Sequence, residues 1–155
     1  MTCRERLEEL FQKRKVGFDV VEHPKAAGAQ RVARASGLPG RQVAKVVMVV
    51  ADGDWVMMVL PATHKLSTRK ARKVLRARRV RIAEEEEFAD LFPDCEIGAM
   101  PPFGDSYGLP LYVDHTLMNV PEIAFTTGIH GETMRISFAD YERVAKPTIA
   151  NFSDK

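Results

Sequence analysis

Only two cysteines occur among the 155 residues, at positions 3 and 95, and they form no CxxC pair. Two distant thiols argue against a disulfide scaffold and suit a reducing compartment, so a cytoplasmic protein is expected. The four histidines make no HxH or HExxH pattern and join no Cys/His cluster. The usual metal-ligand spacings are therefore missing, and neither a metal nor a cofactor is expected. No run approaches the roughly 20 apolar residues that cross a bilayer. The start, Met1-Thr2-Cys3-Arg4-Glu5-Arg6, is charged too early for a secretory leader. A GxSxG elbow, a P-loop and a GxGxxG turn are all absent, and neither cysteine has an activating setting. A covalent nucleophile and a dinucleotide cradle are thus not indicated.

What is present is an ordinary globular composition, 45% hydrophobic and 28% charged. The length suits one domain over residues 1–155. The net charge of +2 hides an uneven distribution: nine basic residues and no acidic one lie between Lys65 and Arg81, and Glu84 to Glu87 follow at once. Thr2-x-x-Glu5 reads as a capping box for a helix over about 3–15, with Gly17 at its stop. Phe18–Glu22 reads as a strand and Gly28–Ser36 as a second helix. Val43–Val50 and Trp55–Leu60 are apolar runs joined by Asp52-Gly53, a two-residue hairpin signal. Both runs are apolar at every position except Lys45, which places them centrally in a sheet covered on both sides. Ser67 caps a basic helix to about Ala77. Arg79–Ala83, Leu109–Asp114, Glu122–Thr126 and Thr133–Ser137 read as strands, Glu84–Phe92 as a short helix. Ser137-x-x-Asp140 opens a last helix. Strands and helices mix without strict alternation, which predicts α+β with a mixed sheet.

Four places could carry chemistry. Lys45 sits inside an apolar strand, where an ammonium must be paired or reach a cavity. It either holds a ligand oxygen or snorkels to solvent. Gly98-Ala99-Met100-Pro101-Pro102-Phe103-Gly104 is stiffened by prolines and lets the backbone approach a ligand at its glycines. It is either a source of oxyanion N–H donors or a rigid connection. Gly128-Ile129-His130-Gly131 holds a histidine that could activate water or merely occupy a turn. Asp114 ends an apolar strand, where it can meet a cation or cap the next turn. Arg69, Lys70, Arg72, Lys73 and Arg76 lie on the basic helix and suit phosphate contacts rather than base stacking. Their bland reading is a solvated face.

In this order, Glu22-His23-Pro24, Ala44-Lys45-Val46-Val47, Val59-Leu60-Pro61-Ala62, Phe92-Pro93-Asp94-Cys95-Glu96-Ile97-Gly98-Ala99, Pro101-Pro102-Phe103-Gly104, Tyr112-Val113-Asp114 and Gly128-Ile129-His130 resemble the YbaK/prolyl-tRNA synthetase-associated domain family. The resemblance runs from Phe18 to Phe152. It implies a mixed, strongly curved sheet flanked by helices, and hydrolysis of mischarged aminoacyl-tRNA at the terminal ribose ester by a free-standing, metal-independent protein. It puts the family's lysine on Lys45, its glycine-bounded loop on Gly98–Gly104, and its late glycine and histidine on Gly128 and His130. Lys45 and His130 are then the catalytic pair, with Gly98, Ala99, Pro101, Pro102, Phe103, Gly104, Asp114 and Gly128 binding substrate. Partners implied are the aminoacyl-tRNA acceptor end and a transient contact with a synthetase, not DNA or a membrane. Two departures stand out: Val46 replaces the small polar residue that often follows the lysine, and Thr126-Thr127-Gly128 precedes the histidine segment. The alternatives are a non-catalytic RNA-binding or regulatory module, and a hydrolase of small esters or thioesters.

Overall fold

The computed structural model describes residues 1–155. Thr2 caps α1 (Cys3–Arg14): its hydroxyl accepts from Glu5 N–H while the Glu5 carboxylate accepts from Thr2 N–H. The helix ends on Lys15 in the left-handed region (φ 58°), two residues before the glycine expected to stop it. β1 (Asp19–Glu22) follows, and then α2 (Ala29–Ser36), closed by Gly37 at φ 75°. β2 (Ala44–Ala51) and β3 (Asp54–Pro61) form the hairpin, with Asp52 and Gly53 both at positive φ as a type I′ turn requires. Next come β4 (Lys65–Leu66), α3 (Thr68–Leu75) capped by Ser67, β5 (Val80–Ile82) and α4 (Glu85–Phe88). β6 (Leu111–Asp114), β7 (Glu122–Thr126), β8 (Glu132–Ser137), α5 (Phe138–Ala145), β9 (Thr148–Ala150) and β10 (Ser153–Asp154) complete the chain.

The main sheet runs β5-β2-β3-β6-β9. β2 pairs antiparallel with β3 and β5, whereas β6 is parallel to both β3 and β9, so the sheet is mixed as expected. A second, antiparallel sheet runs β1-β8-β7 and meets the first through a parallel bridge between Val43 and Ala124. That bridge holds the chain entering β2 beside the middle of β7.

The hairpin is covered on both faces. Ala44, Met48, Met57 and Val59 join the larger core with α1, the second sheet and α5. Val49, Val56, Met58 and Leu60 join a smaller core under Ala71 of α3 and Phe152. This alternation follows from the period of two along a strand. Lys45 falls on the α3 side of the strand, in step with Val47 and Val49. No helix is long and apolar enough to cross a membrane.

Candidate active site

A cleft of about 210 Å³ opens where the start of β2 passes α2, α4 and the loops before β6 and β8. Its walls include Val32, Lys45, Val46, Glu85, Gly98, Met100, Thr126 and His130. Lys45 and His130, 85 positions apart in the chain, are therefore in one site. The Val43–Ala124 bridge explains why: it sets the first residues of β2 against the strand that leads into Thr126 and His130.

The Lys45 ammonium donates to the His64 carbonyl at 2.6 Å, and no carboxylate neutralises it. Burial pulls its pKa below the ordinary lysine value, and the neighbouring Lys65 charge adds to the fall. A cation with only a neutral oxygen partner retains donors for a ligand.

His130 is held at two points. Its backbone N–H donates to Glu96 Oε1 at 3.0 Å, and its ring Nε2 lies 2.8 Å from the Ile97 carbonyl. A carbonyl can only accept, so Nε2 carries a proton, and Nδ1 has no partner within the protein. The strand-like exchange between Glu96 N–H and Gly128 O (2.7 Å), and between Gly128 N–H and Ala99 O (2.8 Å), fixes both segments together. Gly98 sits between them at φ 84°, a conformation that favours glycine. Its N–H, like that of Met100, has no acceptor within the protein.

The remaining expected site residues are distributed otherwise. Ala99 is fully buried beside the cleft wall, and Gly128 lies behind it as the brace just described, at φ 99° against Cys3. Pro101, Pro102, Phe103 and Gly104 turn inward: the Phe103 ring packs among Phe11, Phe125 and Tyr141, and the Pro102 carbonyl accepts from the Tyr141 hydroxyl at 2.7 Å. That half of the loop anchors the core. Asp114 is also outside the cleft. It is 0% exposed, and its oxygens accept from Phe152 N–H at 3.0 Å and from the backbone and hydroxyl of Thr116. Burial alone would raise its pKa; the hydrogen bonds from Thr116, Phe152 and Ser153 outweigh it and hold the carboxyl below the usual range. Glu85 is the lining residue that sequence patterning missed, because nothing distinguishes it locally from Glu84, Glu86 and Glu87.

Arg69, Arg72, Lys73 and Arg76 are exposed on or just beyond α3, whereas Lys70 is paired with Asp154 at 2.7 Å. Arg72, Arg78, Arg79 and Arg81 border a shallow hollow of about 710 Å³ at the β2–β3 turn. Lys65, at the head of this basic segment, is near enough to Lys45 to add to the fall in its pKa.

Two other hollows flank the first turn of α1. There Cys3, Asp94 and Cys95 bring three ligating atoms within 4.8 Å of one another. The Asp94 carboxylate already holds the Arg6 guanidinium and accepts from the Tyr107 hydroxyl at 3.1 Å. Cys95 lies 3.3 Å from the same hydroxyl. Hydrogen bonding to Cys95 lowers the Cys3 pKa, and the reciprocal bond together with burial raises that of Cys95. The two thiols therefore share one polar niche with Asp94 and Tyr107, a neighbourhood that local sequence did not reveal.

A model of the aminoacyl-tRNA editing domain matches residues 23–144. The chain is 28% identical over 153 residues to a multifunctional Ser/Thr-tRNA deacylase, ProXp-y, of Escherichia coli, covering 96% of this chain and 91% of that protein. It is also 28% identical over 134 residues to the proline–tRNA ligase of Acidithiobacillus ferrooxidans, but spans 23% of that enzyme. Among solved structures, a candidate trans-editing enzyme for prolyl-tRNA synthetase superposes with a TM-score of 0.83 at 24% identity, over 100% of this chain and 99% of the other. The chain belongs to the aminoacyl-tRNA editing domain family and is an aminoacyl-tRNA deacylase.

Proposed function

We propose that the protein acts in trans in the cytoplasm, that the acceptor end of a mischarged tRNA enters the Lys45–His130 cleft, and that the amino acid removed has a short side chain. The observation that carries this reading is the meeting of three groups in one small cleft: an ammonium without a counter-ion, an unpaired backbone N–H at Gly98, and a histidine with a free Nδ1. A volume of about 210 Å³ suits a small acyl group, with the terminal adenosine at the mouth. The Escherichia coli relative's serine and threonine specificity is of that class.

The ester is already an activated acyl group, so hydrolysis needs mainly positioning and charge stabilisation. Lys45 anchors the aminoacyl-adenosine end. His130 Nδ1 accepts a proton from water as the water oxygen attacks the carbonyl carbon. The Gly98 N–H faces the negative charge that develops on the carbonyl oxygen. The bond from carbon to the ribose oxygen then breaks, and that oxygen takes the proton from His130 and leaves as the ribose hydroxyl. Of the Gly98–Gly104 loop, Gly98 is thereby the part that serves substrate. The basic face from Lys65 to Arg81 carries the acceptor-stem phosphates, and a transient synthetase contact delivers the tRNA; neither DNA nor a membrane is a partner.

A panel of tRNAs charged with serine, threonine, alanine, cysteine, proline, leucine and phenylalanine, assayed for release of the amino acid, tests the reading. Turnover concentrated on the smaller side chains is expected, and it should survive dialysis against a chelator. Equal turnover of bulky aminoacyl-tRNAs would overturn the size argument. Activity lost to the chelator and restored by zinc would overturn the metal-free chemistry.

A further inference from the structure

Four consecutive glutamates follow the basic segment, and the structure gives them different tasks. Glu87 is committed: its carboxylate takes both terminal nitrogens of Arg81 at 2.8 and 2.9 Å and the backbone N–H of Glu84 at 2.9 Å. Glu84 precedes the helix, and Glu86 is exposed away from the cleft walls. Glu85 is the only carboxylate on the cleft lining. Its Oε1 would lie 3.3 Å from a Cβ placed on Gly98, and His130 Cε1 would lie 3.7 Å from the same point. The carboxylate therefore overhangs the groups assigned above to the carbonyl oxygen and the water, yet no side chain or backbone donor occupies it. Lys45 supplies the positive side of the same cleft.

An aminoacyl ester differs from other esters by a charged ammonium on the carbon next to the reacting carbonyl. A free carboxylate beside the carbonyl site matches that charge and position, and charge-assisted hydrogen bonds are the strong ones. We propose that Glu85 binds the α-ammonium of the aminoacyl group and so restricts the cleft to esters of amino acids. The proposal rests on the deacylase reading of this cleft.

The test uses the full chain and two substrates that differ at one group: a tRNA charged with the preferred amino acid, and the same tRNA carrying the matching α-hydroxy acid. The hydroxyl is close in size to the ammonium but uncharged. Wild type should prefer the aminoacyl ester by about tenfold to a hundredfold in kcat/KM, mainly through KM. Glu85→Gln is exposed and isosteric, and should fold normally. It should lose that preference by weakening on the aminoacyl ester alone. A second signature is the pH profile. An α-amino group titrates near roughly 7.7–8.0, so the wild-type preference should fade as pH rises through that range, whereas Glu85→Gln should show none to lose. Unchanged discrimination in Glu85→Gln, or an equal loss on both substrates, would overturn the role of Glu85. A wild-type protein inactive on every charged tRNA would overturn the deacylase reading, and the proposal with it.

Discussion

Lys45 is half-buried and its ammonium meets a carbonyl rather than a carboxylate. Burial therefore disfavours its charged form, and the folded pKa lies below the unfolded value of 10.5. The sign of the linkage follows. The fold bears the full cost of the charge below the folded pKa, and that cost is relieved as pH rises from there toward 10.5. Lys45→Met keeps the aliphatic stem and removes the charge. It should cut deacylation by roughly a hundredfold, as loss of an anchoring charge does, while the melting temperature holds or rises. Thermal unfolding and single-turnover deacylation on the same sample check both halves. A well-folded variant with near-normal activity would remove Lys45 from the site. A collapse in melting temperature would make it a structural residue.

Helix α3 joins two functions on opposite faces. Ser67 caps it by accepting from Lys70 N–H at 3.2 Å, and Ala71 with its apolar neighbours presses on the smaller core. The outer face carries Arg69, Arg72 and Lys73, none of which has an acidic partner, whereas Lys70 is clasped to the last strand through Asp154 and the Ser153 carbonyl. Lys70 therefore belongs to the fold as much as to the surface. Reversing Arg69, Arg72, Lys73 and Arg76 to glutamate should weaken binding of any tRNA and flatten its salt dependence, since fewer phosphate counter-ions are released. A minimal aminoacyl-adenosine should be hydrolysed as before, because it lacks the acceptor-stem phosphates. Equal damage to both substrates would mean that the helix supports the cleft. Damage to neither would return the segment to a solvated face.

At the scale of the molecule, Asp114 ties the end of the chain to the central sheet. It sits at the C-terminus of β6, caps the following turn through Thr116, and receives Phe152 N–H, which keeps the fully buried Phe152 ring in the smaller core. Its folded pKa is depressed below 3.8, so its stabilisation is present above that value and is lost as pH falls through the folded pKa. Asp114→Ala leaves buried donors unpaired and should cost about 2–3 kcal/mol. The melting temperature should drop and the acid limb of the stability profile should flatten, with kcat at low temperature nearly intact. A selective loss of activity without loss of stability would return Asp114 to the substrate site.

Sequence by itself determined the elements whose signals are local. The Thr2–Glu5 box, the Asp52-Gly53 turn, the Ser67 cap and the two-faced apolar hairpin depend on neighbours within a few positions, and each formed as its chemistry requires. The lysine and histidine were legible because a cation in an apolar strand and a histidine between glycines are locally costly or unusual. The ordered set of motifs carried the family. Tertiary structure alone decided which of these residues meet. The short strands β4, β9 and β10 have too few residues for a periodic signal and exist through their long-range partners. Phe103, in a glycine- and proline-rich loop, and Asp114, at the end of a strand, look available in sequence, but burial against Tyr141 and Phe152 commits them to the core. Glu85 and the Cys3–Cys95 pair are the converse: ordinary in sequence, and given a setting only when the chain brings distant segments together. A local pattern fixes backbone conformation through short-range sterics and capping. Site membership depends on which surfaces the whole core brings together.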